Sequence, residues 1–292
     1  MTKKLDPSLF AYRPDLADIS LKEVVSADAY TPGKLHRVKR GTSALYAQPD
    51  DSSSINTFLR YGDVVRVFEE RGRFAWVQNI RDRYVGYLAH RDLAATTEDA
   101  SPVGHFTPLM THVYATPDMK GRPIDVIPRG SSVFSMASPI KTRTTEYVRI
   151  DEEGYVPAQC LSDTPPRSTD LFTAAALYLN APYLWAGTTF SGIDCSSLVQ
   201  NACSEIGLMV PRDTYMQRDY FARIGAVSEI PAIPANHLVY MPGHVVITGT
   251  DGNVIHADGE LMKVHVEPLH QFVARRGKAP EDMFLHSTVT AG

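Results

Sequence analysis

The sequence SGIDCSSLVQ, residues 191–200, marks a point where a glycine-containing loop gives way to a helical pattern. Apolar residues recur through and beyond it at steps of three and four: Leu198, Val199, Ala202 and Ile206. This period predicts a helix that begins near Cys195. A thiol in the first turn faces unpaired backbone N–H groups and the positive end of the helix dipole, which favour the thiolate. Cys195 is therefore a candidate nucleophile; on placement alone, a buried structural cysteine is the alternative.

Two histidines follow in short β-branched runs, GHVVIT at residues 243–248 and NVIHAD at residues 253–258. The intervening TDG at residues 250–252 is a turn signal, so this segment predicts a β-hairpin. Side chains alternate between the faces of a sheet with period two. The length of the turn therefore decides whether His244 and His256 can serve one site.

Two registers are open to this hairpin. A two-residue turn, Asp251 and Gly252, places the histidines on opposite faces of the sheet. A three-residue loop with Gly252 left-handed pairs Gly249 with Asn253 and makes the histidines diagonal neighbours on one face, roughly 7–8 Å apart at the backbone. We favour the three-residue loop, because a cysteine nucleophile requires a base histidine and a second polar group that fixes its tautomer.

Five segments in order resemble the NlpC/P60 cysteine peptidases: NAPYLWAGT at 180–188, GIDCSSLVQ at 192–200, VPRDT with Gln217 at 210–217, GHV at 243–245 and VIHA at 254–257. The resemblance implies a papain-like α+β fold and hydrolysis of bonds that follow γ-D-glutamyl in bacterial cell-wall (murein) peptides. It also implies that Cys195 is the nucleophile, that His244 is the base and that His256 orients the base. Ala186 and Ser197 stand where the family usually has glycine.

The same resemblance suggests residues around the substrate. In the family, the counterpart of Tyr183 donates to the oxyanion or to bound substrate, and Thr214 occupies a position near that subsite. A free substrate ammonium needs a carboxylate partner in a confined site. Asp194, next to the nucleophile, is the candidate, with Ser196 as a hydrogen-bonding neighbour. An N-cap of the Cys195 helix is a second role for Asp194, and both can hold.

An internal repeat precedes these segments. Four landmarks return 68 residues later: residues 45–50 as 113–118, Gly62 as Gly130, Gly86 as Gly154, and Leu93 as Leu161. A constant offset indicates two copies of one unit. Short Val, Ile, Tyr and Phe runs separated by Gly, Pro and Asp predict a small antiparallel barrel for each copy. The first copy resembles bacterial SH3 domains through GDVVRV at 62–67 and YVGYL at 84–88, and the second is a weaker match.

These patterns predict four segments: an N-terminal arm at 1–34, SH3-like barrels at 35–97 and 104–163, and an NlpC/P60 cysteine peptidase domain at 168–292. We expect the arm to pack on a barrel or on the catalytic domain. The barrels either target peptidoglycan or serve as spacers, or one of them closes the substrate groove. In the last case Tyr84, Trp76 or Glu70 is expected to complete the wall; Tyr84 is one candidate for substrate binding, and the sequence does not choose among the three.

Composition narrows the class of protein. A net charge of −4 and a pI of about 6.2 argue against a nucleic-acid or anionic-membrane partner. No signal peptide or spanning helix is readable, so a cytoplasmic location is expected. Cys160, Cys195 and Cys203 are an odd number of cysteines, which favours free thiols over disulfides. The remaining histidines lack metal-ligand spacing, so we expect the reaction to need neither a metal nor a cofactor.

The expected reaction follows from the resemblance. Paired barrels without an export signal are similar to the dipeptidyl-peptidase VI type of the family, which implies recycling of L-Ala-γ-D-Glu-diamino acid peptides with a free N-terminal L-Ala. One alternative is a cell-wall endopeptidase or amidase whose barrels serve targeting. Others are an acyltransferase or amidase of the wider superfamily and a non-catalytic binding module. The sequence leaves open the diamino acid and the oligomeric state.

Overall fold

The structure is a computed structural model that describes residues 5–226, 233–277 and 283–287. The chain divides into two compact units, residues 1–166 and 167–292. The division falls at Pro166, next to a second proline that stiffens the connecting segment. No described helix is both long and apolar enough to cross a membrane.

The arm and the first barrel contain nine strands within the described residues: β1 (Leu16–Asp18), β2 (Ala29–Thr31), β3 (Lys34–Val38), β4 (Thr42–Tyr46), β5 (Ile55–Arg60), β6 (Val64–Arg71), β7 (Phe74–Asn79), β8 (Val85–Ala89) and β9 (Leu93–Ala95). Strands β3 to β9 form one sheet in the order β5-β4-β8-β7-β6-β3-β9. β-Branched and leucine side chains with no exposed surface fill its inner face: Val38, Leu45, Leu59, Val65 and Val77.

The arm packs on the first barrel, which is one of the two partners that the sequence left open. Ala11 lies in an apolar cluster with Phe68, Trp76 and Val85 of the barrel. The guanidinium of Arg13 lies 4.3 Å from the centroid of the Trp76 ring, where it makes a cation–π contact. Burial of this apolar surface holds the arm in place.

The second barrel is built from eight further strands: β10 (Gly104–Phe106), β11 (Met110–Tyr114), β12 (Pro123–Pro128), β13 (Ser132–Val133), β14 (Ile140–Thr142), β15 (Thr145–Ile150), β16 (Gly154–Pro157) and β17 (Leu161–Ser162). They form a five-stranded sheet, β12-β11-β16-β15-β14, and a three-stranded sheet, β13-β10-β17. Five of the buried residues of its core are Phe106, Val113, Ile127, Ile150 and Val156.

The two copies of the repeat share their geometry. A Cβ atom on Gly86 would lie 2.8 Å from the carbonyl oxygen of Tyr46, and one on Gly154 would lie 2.9 Å from that of Tyr114. Strands β4 and β11 each shift register immediately before this tyrosine. Both copies therefore need glycine where one strand lies against the β-bulge of its neighbour.

A buried polar network joins the barrels within the N-terminal unit. Tyr61 of the first barrel is 1% exposed and packs edge-on against Phe106 of the second. Its hydroxyl donates to Oδ2 of Asp151 at 2.6 Å, and Nη1 of Arg37 lies 3.1 Å from the same oxygen. The backbone N–H of Ser135 donates to Oδ1 at 2.6 Å. Burial, with the charge of Asp151, raises the pKa of Tyr61 far above its usual value, so the phenol remains a donor.

Tyr61→Phe tests this network, because it keeps the packed ring and removes the donor to Asp151. A hydrogen bond to a charged group contributes roughly 1.5–3 kcal/mol, so we expect the free energy of unfolding to fall by about that amount. Urea denaturation of the full chain measures it. Tyr46→Phe is the matched control, since Tyr46 is a half-buried residue whose hydroxyl has no hydrogen-bond partner among the described residues. Equal losses in both variants would contradict the assignment.

The C-terminal unit is an α+β domain. Its described helices are α1 (Leu171–Ala176), α2 (Cys195–Glu205), α3 (Thr214–Tyr220) and α4 (Leu269–Arg276). Its described strands are β18 (Thr188–Thr189), β19 (Gly192–Ile193), β20 (Ala222–Ala226), β21 (Leu238–Met241), β22 (His244–Thr248), β23 (Asn253–Asp258), β24 (Lys263–Pro268) and β25 (Phe284–Ser287). The expected fold class, α+β preceded by small β units, is confirmed.

One antiparallel sheet organises this unit, in the order β20-β25-β21-β22-β23-β24. Helices α1 and α2 pack on its central strands β22 and β23, and α4 packs on β24. Strand β22 is buried along its whole length, as is β21. The helix that begins at Cys195 and the strands that carry the two histidines are therefore in direct contact across the core.

Candidate active site

The cysteine lies at the first position of a helix, as the sequence predicts. Asp194 caps α2, and its Oδ1 accepts a hydrogen bond from the N–H of Ser197 at 2.8 Å. Cys195 itself is 7% exposed. The other two cysteines are free thiols as well, and Cys203 on the same helix is fully buried.

The thiolate expected from the helix start is wrong for the resting protein. Burial, reinforced by the negative charge of Asp194, raises the pKa of Cys195 to about 12. The backbone N–H groups of Val245 and Ser196 and the charge of Arg212 act in the opposite direction and are outweighed. Because desolvation disfavours the charged form, the resting group is a neutral thiol that needs a base.

The hairpin has the three-residue register. Ile247 pairs with Ile255, and the N–H of Gly249 donates to the carbonyl of Asn253 at 2.8 Å. Gly252 has φ +70°, and Asp251 adopts a left-handed φ of +57° as well, which the sequence did not predict. The register prediction is therefore confirmed, and both histidines face the same side of the sheet.

The two imidazoles are hydrogen-bonded to each other. Nε2 of His244 lies 3.0 Å from Nδ1 of His256, and the exposed fractions of the residues are 6% and 0%. Phe272 of α4 stacks on the His244 ring at 5.8 Å and meets the His256 ring edge-on at 4.9 Å. Since Nε2 of His244 is engaged, Nδ1 is the nitrogen left for the thiol. The N–H of Val245, the next residue, bonds Cys195.

Both histidines are neutral at pH 7. Burial lowers the pKa of His244 well below its usual value, and the neighbouring His256 contributes to the shift. Burial also lowers the pKa of His256 to about 4, against an opposing hydrogen bond to Glu267. A neutral imidazole has one lone pair free to accept a proton, which is the state that a general base requires.

Acid is expected to weaken this unit, because the buried histidines must take up protons. The pKa of His256 falls from 6.5 to about 4 on folding, so the unfolded chain binds more protons between these values. The stability from neutral His256 is present above about pH 6.5 and is lost as the pH falls through about 4, by on the order of 3 kcal/mol. Thermal unfolding between about pH 7.5 and 4.5 measures the slope.

His256→Asn is the comparison for this slope, because it removes the titrating ring and keeps a polar side chain. We expect the variant to lose less stability on acidification than the parent chain. An unchanged slope would show that other groups cause the acid sensitivity.

A buried ion pair lies behind the nucleophile. Arg212 is 1% exposed and makes a bidentate contact with Asp194, at 2.7 Å from Nη2 to Oδ2 and 3.1 Å from Nη1 to Oδ1. Nη1 also donates to the hydroxyl of Ser196 at 2.8 Å. The N-cap role of Asp194 is thus confirmed, and its charge is balanced by Arg212.

Arg212→Met is expected to be strongly destabilising, because it leaves the Asp194 carboxylate buried without its cation. Removal of one member of a buried pair costs roughly 3–5 kcal/mol. Urea denaturation measures this loss. Adding Asp194→Asn is expected to restore part of it, since no charge then remains unpaired.

The exposed ion pair of Arg218 and Asp219 supplies the control for that series. Its side chains are 53% and 66% exposed, and such pairs contribute at most about 1 kcal/mol. If Arg212→Met cost no more than Arg218→Met, the buried pair would not be a major source of stability in this unit.

Tyr183 is placed to donate a hydrogen bond near the thiol. Its N–H bonds to the carbonyl of Met262 at 2.9 Å, and it forms a β-bridge with Ile193. Burial raises the pKa of Tyr183 to about 12, and the negative charge of Asp194 adds to the shift. The phenol therefore stays protonated and can donate to an oxyanion.

The two departures from the family pattern have visible consequences. Ala186 has φ +66°, in the left-handed region that favours glycine. Its N–H donates to Oδ2 of Asp194 at 3.1 Å, so this residue ties the loop to the helix cap. At Gly187 a Cβ would lie 2.4 Å from the carbonyl oxygen of Gly192, so glycine is required there. The Ser197 hydroxyl is buried without a hydrogen-bond partner among the described residues.

The other predicted positions have different environments. Thr214 begins α3 and is half-buried. Gln217 of the same helix donates from Nε2 to the backbone carbonyl of Ser196 at 2.9 Å, which connects α3 to the first turn of α2. Tyr84 belongs to the N-terminal unit, where it is 6% exposed. Contacts of Thr214 and Tyr84 with substrate stay predictions.

Sequence reasoning assigns no role to four residues of this site: His265, Glu267, Arg212 and Phe272. A signal exists for the first two, because KVHVEP at residues 263–268 alternates polar and apolar residues directly after the histidine-bearing strand. For Arg212 the signal is a charged residue that follows the apolar Val210-Pro211. Nothing in the sequence distinguishes Phe272 from an ordinary core aromatic residue.

One cluster in the site has the composition of a metal centre. His256, Asp258, His265 and Glu267 place ligand atoms within 4.8 Å of one another. Nη2 of Arg275, however, contacts both carboxylates. The positive charge that a cation would supply is therefore already provided by a side chain, and the residues fit an ion-pair network better than a metal site.

Segments of both units match known family models. Residues 180–276 match the NlpC/P60 family, and residues 45–93 match the bacterial dipeptidyl-peptidase SH3 domain. A Bacillus cereus protein named gamma-D-glutamyl-L-lysine dipeptidyl-peptidase is 23% identical over 248 residues, which are 75% of this chain and 72% of the relative. Dipeptidyl-peptidase 6 of Lysinibacillus sphaericus is 24% identical over 245 residues, 78% of this chain and 89% of the relative.

Solved structures agree on the fold. The crystal structure of an NlpC/P60 family protein from Bacillus cereus matches with a TM-score of 0.67 at 16% identity, covering 87% of this chain and 99% of that one. A structure of an NlpC/P60 endopeptidase from Photobacterium damselae subsp. piscicida matches with a TM-score of 0.58 at 12% identity, covering 86% and 70%.

Proposed function

Since the C-terminal unit is an NlpC/P60 domain and the first barrel is a bacterial dipeptidyl-peptidase SH3 domain, we propose that this protein is a cysteine peptidase that cleaves the bond between γ-D-glutamate and a diamino acid in cell-wall peptides. The observation that carries the proposal is the placement of a buried thiol, Cys195, at the start of α2, where it bonds the N–H of Val245, the residue next to His244, and His244 is hydrogen-bonded to His256. A helix-borne thiol and a strand-borne base are the elements of nucleophilic acyl transfer.

In the first step Nδ1 of His244 takes the thiol proton while Sγ of Cys195 attacks the γ-carbonyl carbon of D-Glu. A C–S bond forms and the carbonyl π electrons move to oxygen. The N–H of Cys195, in a turn where N–H groups lack intrahelical partners, and the hydroxyl of Tyr183 are the donors for this oxyanion. Burial opposes a preformed thiolate–imidazolium pair, so proton transfer accompanies the attack.

The second step releases the two products in turn. His244 gives its proton to the amine of the diamino acid as the C–N bond breaks, which leaves a thioester on Cys195. Water then attacks the thioester carbonyl and passes a proton to His244. The dipeptide leaves as its carboxylic acid when the C–S bond breaks and Cys195 regains its proton.

The names of the relatives support the substrate class. The Bacillus cereus relative is named for a γ-D-glutamyl-L-lysine bond and for dipeptide release. We extend this to a substrate of the form L-Ala-γ-D-Glu-diamino acid with a free N-terminus. A requirement for a free amine would restrict the enzyme to peptides already released from the wall, which favours a role in recycling. We include a cytoplasmic location in this proposal.

The structure limits how Asp194 can recognise that amine. Its oxygens already accept from Arg212, from the N–H groups of Ala186 and Ser197, and from the hydroxyl of Ser196. The Asp194–Arg212 pair is neutral overall. An ammonium bound to Asp194 would therefore have to replace one of these donors, and the Ser196 hydroxyl is the one that can rotate away.

A comparison of two substrates tests the proposal. We expect the purified full chain to cleave L-Ala-γ-D-Glu-L-Lys or its diaminopimelate counterpart between D-Glu and the diamino acid. N-acetylation of the L-Ala removes the charge and adds bulk, so kcat/KM is expected to fall at least about tenfold. Mass spectrometry of the products identifies the bond. Equal rates would favour the alternative, a cell-wall endopeptidase whose barrels serve targeting, and cleavage of neither peptide would contradict the proposed substrate.

Cysteine variants separate chemistry from stability in this assay. Cys195→Ser is expected to abolish turnover with little change in thermal stability. Cys203→Ser is the matched control on the same helix: it buries a hydroxyl and lowers stability, but it spares activity. Wild-type kinetics in Cys195→Ser would exclude Cys195 as the nucleophile.

A further inference from the structure

We propose that Glu267 is a positioning residue for the reaction: it fixes the ring tautomer of His256 and, through His256, that of His244. The catalytic meaning of this inference rests on the proposed function. The tautomers themselves are a property of the protein without substrate, so the two can be tested separately.

Strand register places Glu267 at the far end of the histidine pair. On β23 and β24, His256 pairs with His265 and Val254 pairs with Glu267. Glu267 is therefore two residues beyond His265 and on the same face as His256. Its Oε1 lies 3.0 Å from Nε2 of His256, and its side chain is 12% exposed.

The order of hydrogen bonds determines where each proton lies. An ionised carboxylate only accepts, so Nε2 of His256 must carry its proton and donate to Glu267. Neutral His256 then has an unprotonated Nδ1, which accepts from Nε2 of His244 at 3.0 Å. Nε2 of His244 therefore carries the proton, and its Nδ1 is the bare nitrogen. That is the atom that must take the proton of Cys195.

A neighbouring arginine keeps Glu267 ionised. Arg275 contacts its carboxylate directly, and His265 lies 3.5 Å from it. Burial acts to raise the pKa of Glu267, but hydrogen bonds with Arg275 and His256 outweigh it and lower the pKa. The other charged groups that face this cluster are Asp258, which Arg275 also contacts, and Arg276, which bonds Asp258 at 3.1 Å.

The carboxylate also matters during the reaction. When His244 becomes an imidazolium, its Nε2–H still donates to His256, whose own Nε2–H still donates to Glu267. The positive charge forms at one end of a chain that has a fixed negative charge at the other. Without Glu267, His256 can adopt the other tautomer, in which Nδ1–H faces Nε2 of His244 and that nitrogen loses its proton. The proton then moves to Nδ1 of His244, and the base is lost.

Glu267→Gln removes the negative charge. The amide can present either its oxygen, which accepts from Nε2 of His256, or its NH2 group, which donates to it, so it no longer selects one tautomer. The readouts are the 15N shifts of the two imidazoles, the rate of Cys195 alkylation by iodoacetamide at pH 7 followed by peptide mass spectrometry, and kcat on the peptide. We expect mixed tautomers, and alkylation and kcat each reduced at least about tenfold with KM nearly unchanged. The loss is bounded by the roughly 10⁴-fold effect of a wrong tautomer in a serine triad.

Glu260→Gln is the matched control. Glu260 pairs with Arg275, as Glu267 does, and also with Arg276; its side chain is 49% exposed and makes no described contact with either histidine of the pair. We expect wild-type 15N shifts and alkylation rates for this variant. Glu267→Asp keeps the charge with a shorter reach and is expected to restore part of the alkylation rate. It carries the test if Glu267→Gln does not fold.

Three results would overturn the inference: unchanged tautomers and alkylation in Glu267→Gln, equal losses in Glu267→Gln and Glu260→Gln, or no recovery in Glu267→Asp relative to Glu267→Gln. The 15N shifts and the alkylation rate are both measured without the peptide. If the wild-type chain fails to cleave the peptide while alkylation still depends on Glu267, the proposed substrate fails and the positioning role stands.

Discussion

The pairing register of β22, β23 and β24 is the constraint on which the site depends. Side chains alternate across a sheet with period two, so a slip of one residue at Asp251 would turn His256 away from His244. The same register on the next strand places Glu267 against the far nitrogen of His256. Three side chains from three strands thus form one line of hydrogen bonds, and the helix that begins at Cys195 packs on the two strands that carry the histidines. Phe272 of α4 packs against both imidazole rings and restricts their planes.

Burial gives this line its chemical character. Desolvation acts against charge on Cys195, His244 and His256 alike, so the resting site consists of neutral partners. Charge is confined to the two flanks, where each carboxylate has an arginine: Asp194 with Arg212 behind the nucleophile, and the Glu267 cluster with Arg275 beyond the histidines. Because each carboxylate is paired with an arginine, the buried region between them contains a thiol and a base but no unpaired ion. Both flanks therefore matter to structure as well as to chemistry.

Local patterns were sufficient to predict part of the site. The helix start at Cys195 follows from apolar period, and the hairpin register follows from a turn sequence and the needs of a shared site. The protonation state of Cys195 was not predictable, because desolvation depends on what covers the thiol, and that cover comes from strands far along the chain. For the same reason the partners of Asp194 and His256 were missed. Tertiary packing alone brings Arg212 next to Asp194, and Glu267 next to His256. The alternation of polar and apolar residues at 263–268 indicates a strand that contains Glu267, but it does not show that Glu267 contacts His256.

Capture of the acyl-enzyme would show directly whether Cys195 is the nucleophile that the histidine pair serves. The full chain is mixed with L-Ala-γ-D-Glu-L-Lys, quenched in acid within the first turnovers and analysed by mass spectrometry. We predict an adduct with the mass of the alanyl-γ-glutamyl group, located by fragmentation on Cys195 and absent from Cys203. Turnover without any thioester, or an adduct on another residue, would contradict this assignment of the nucleophile.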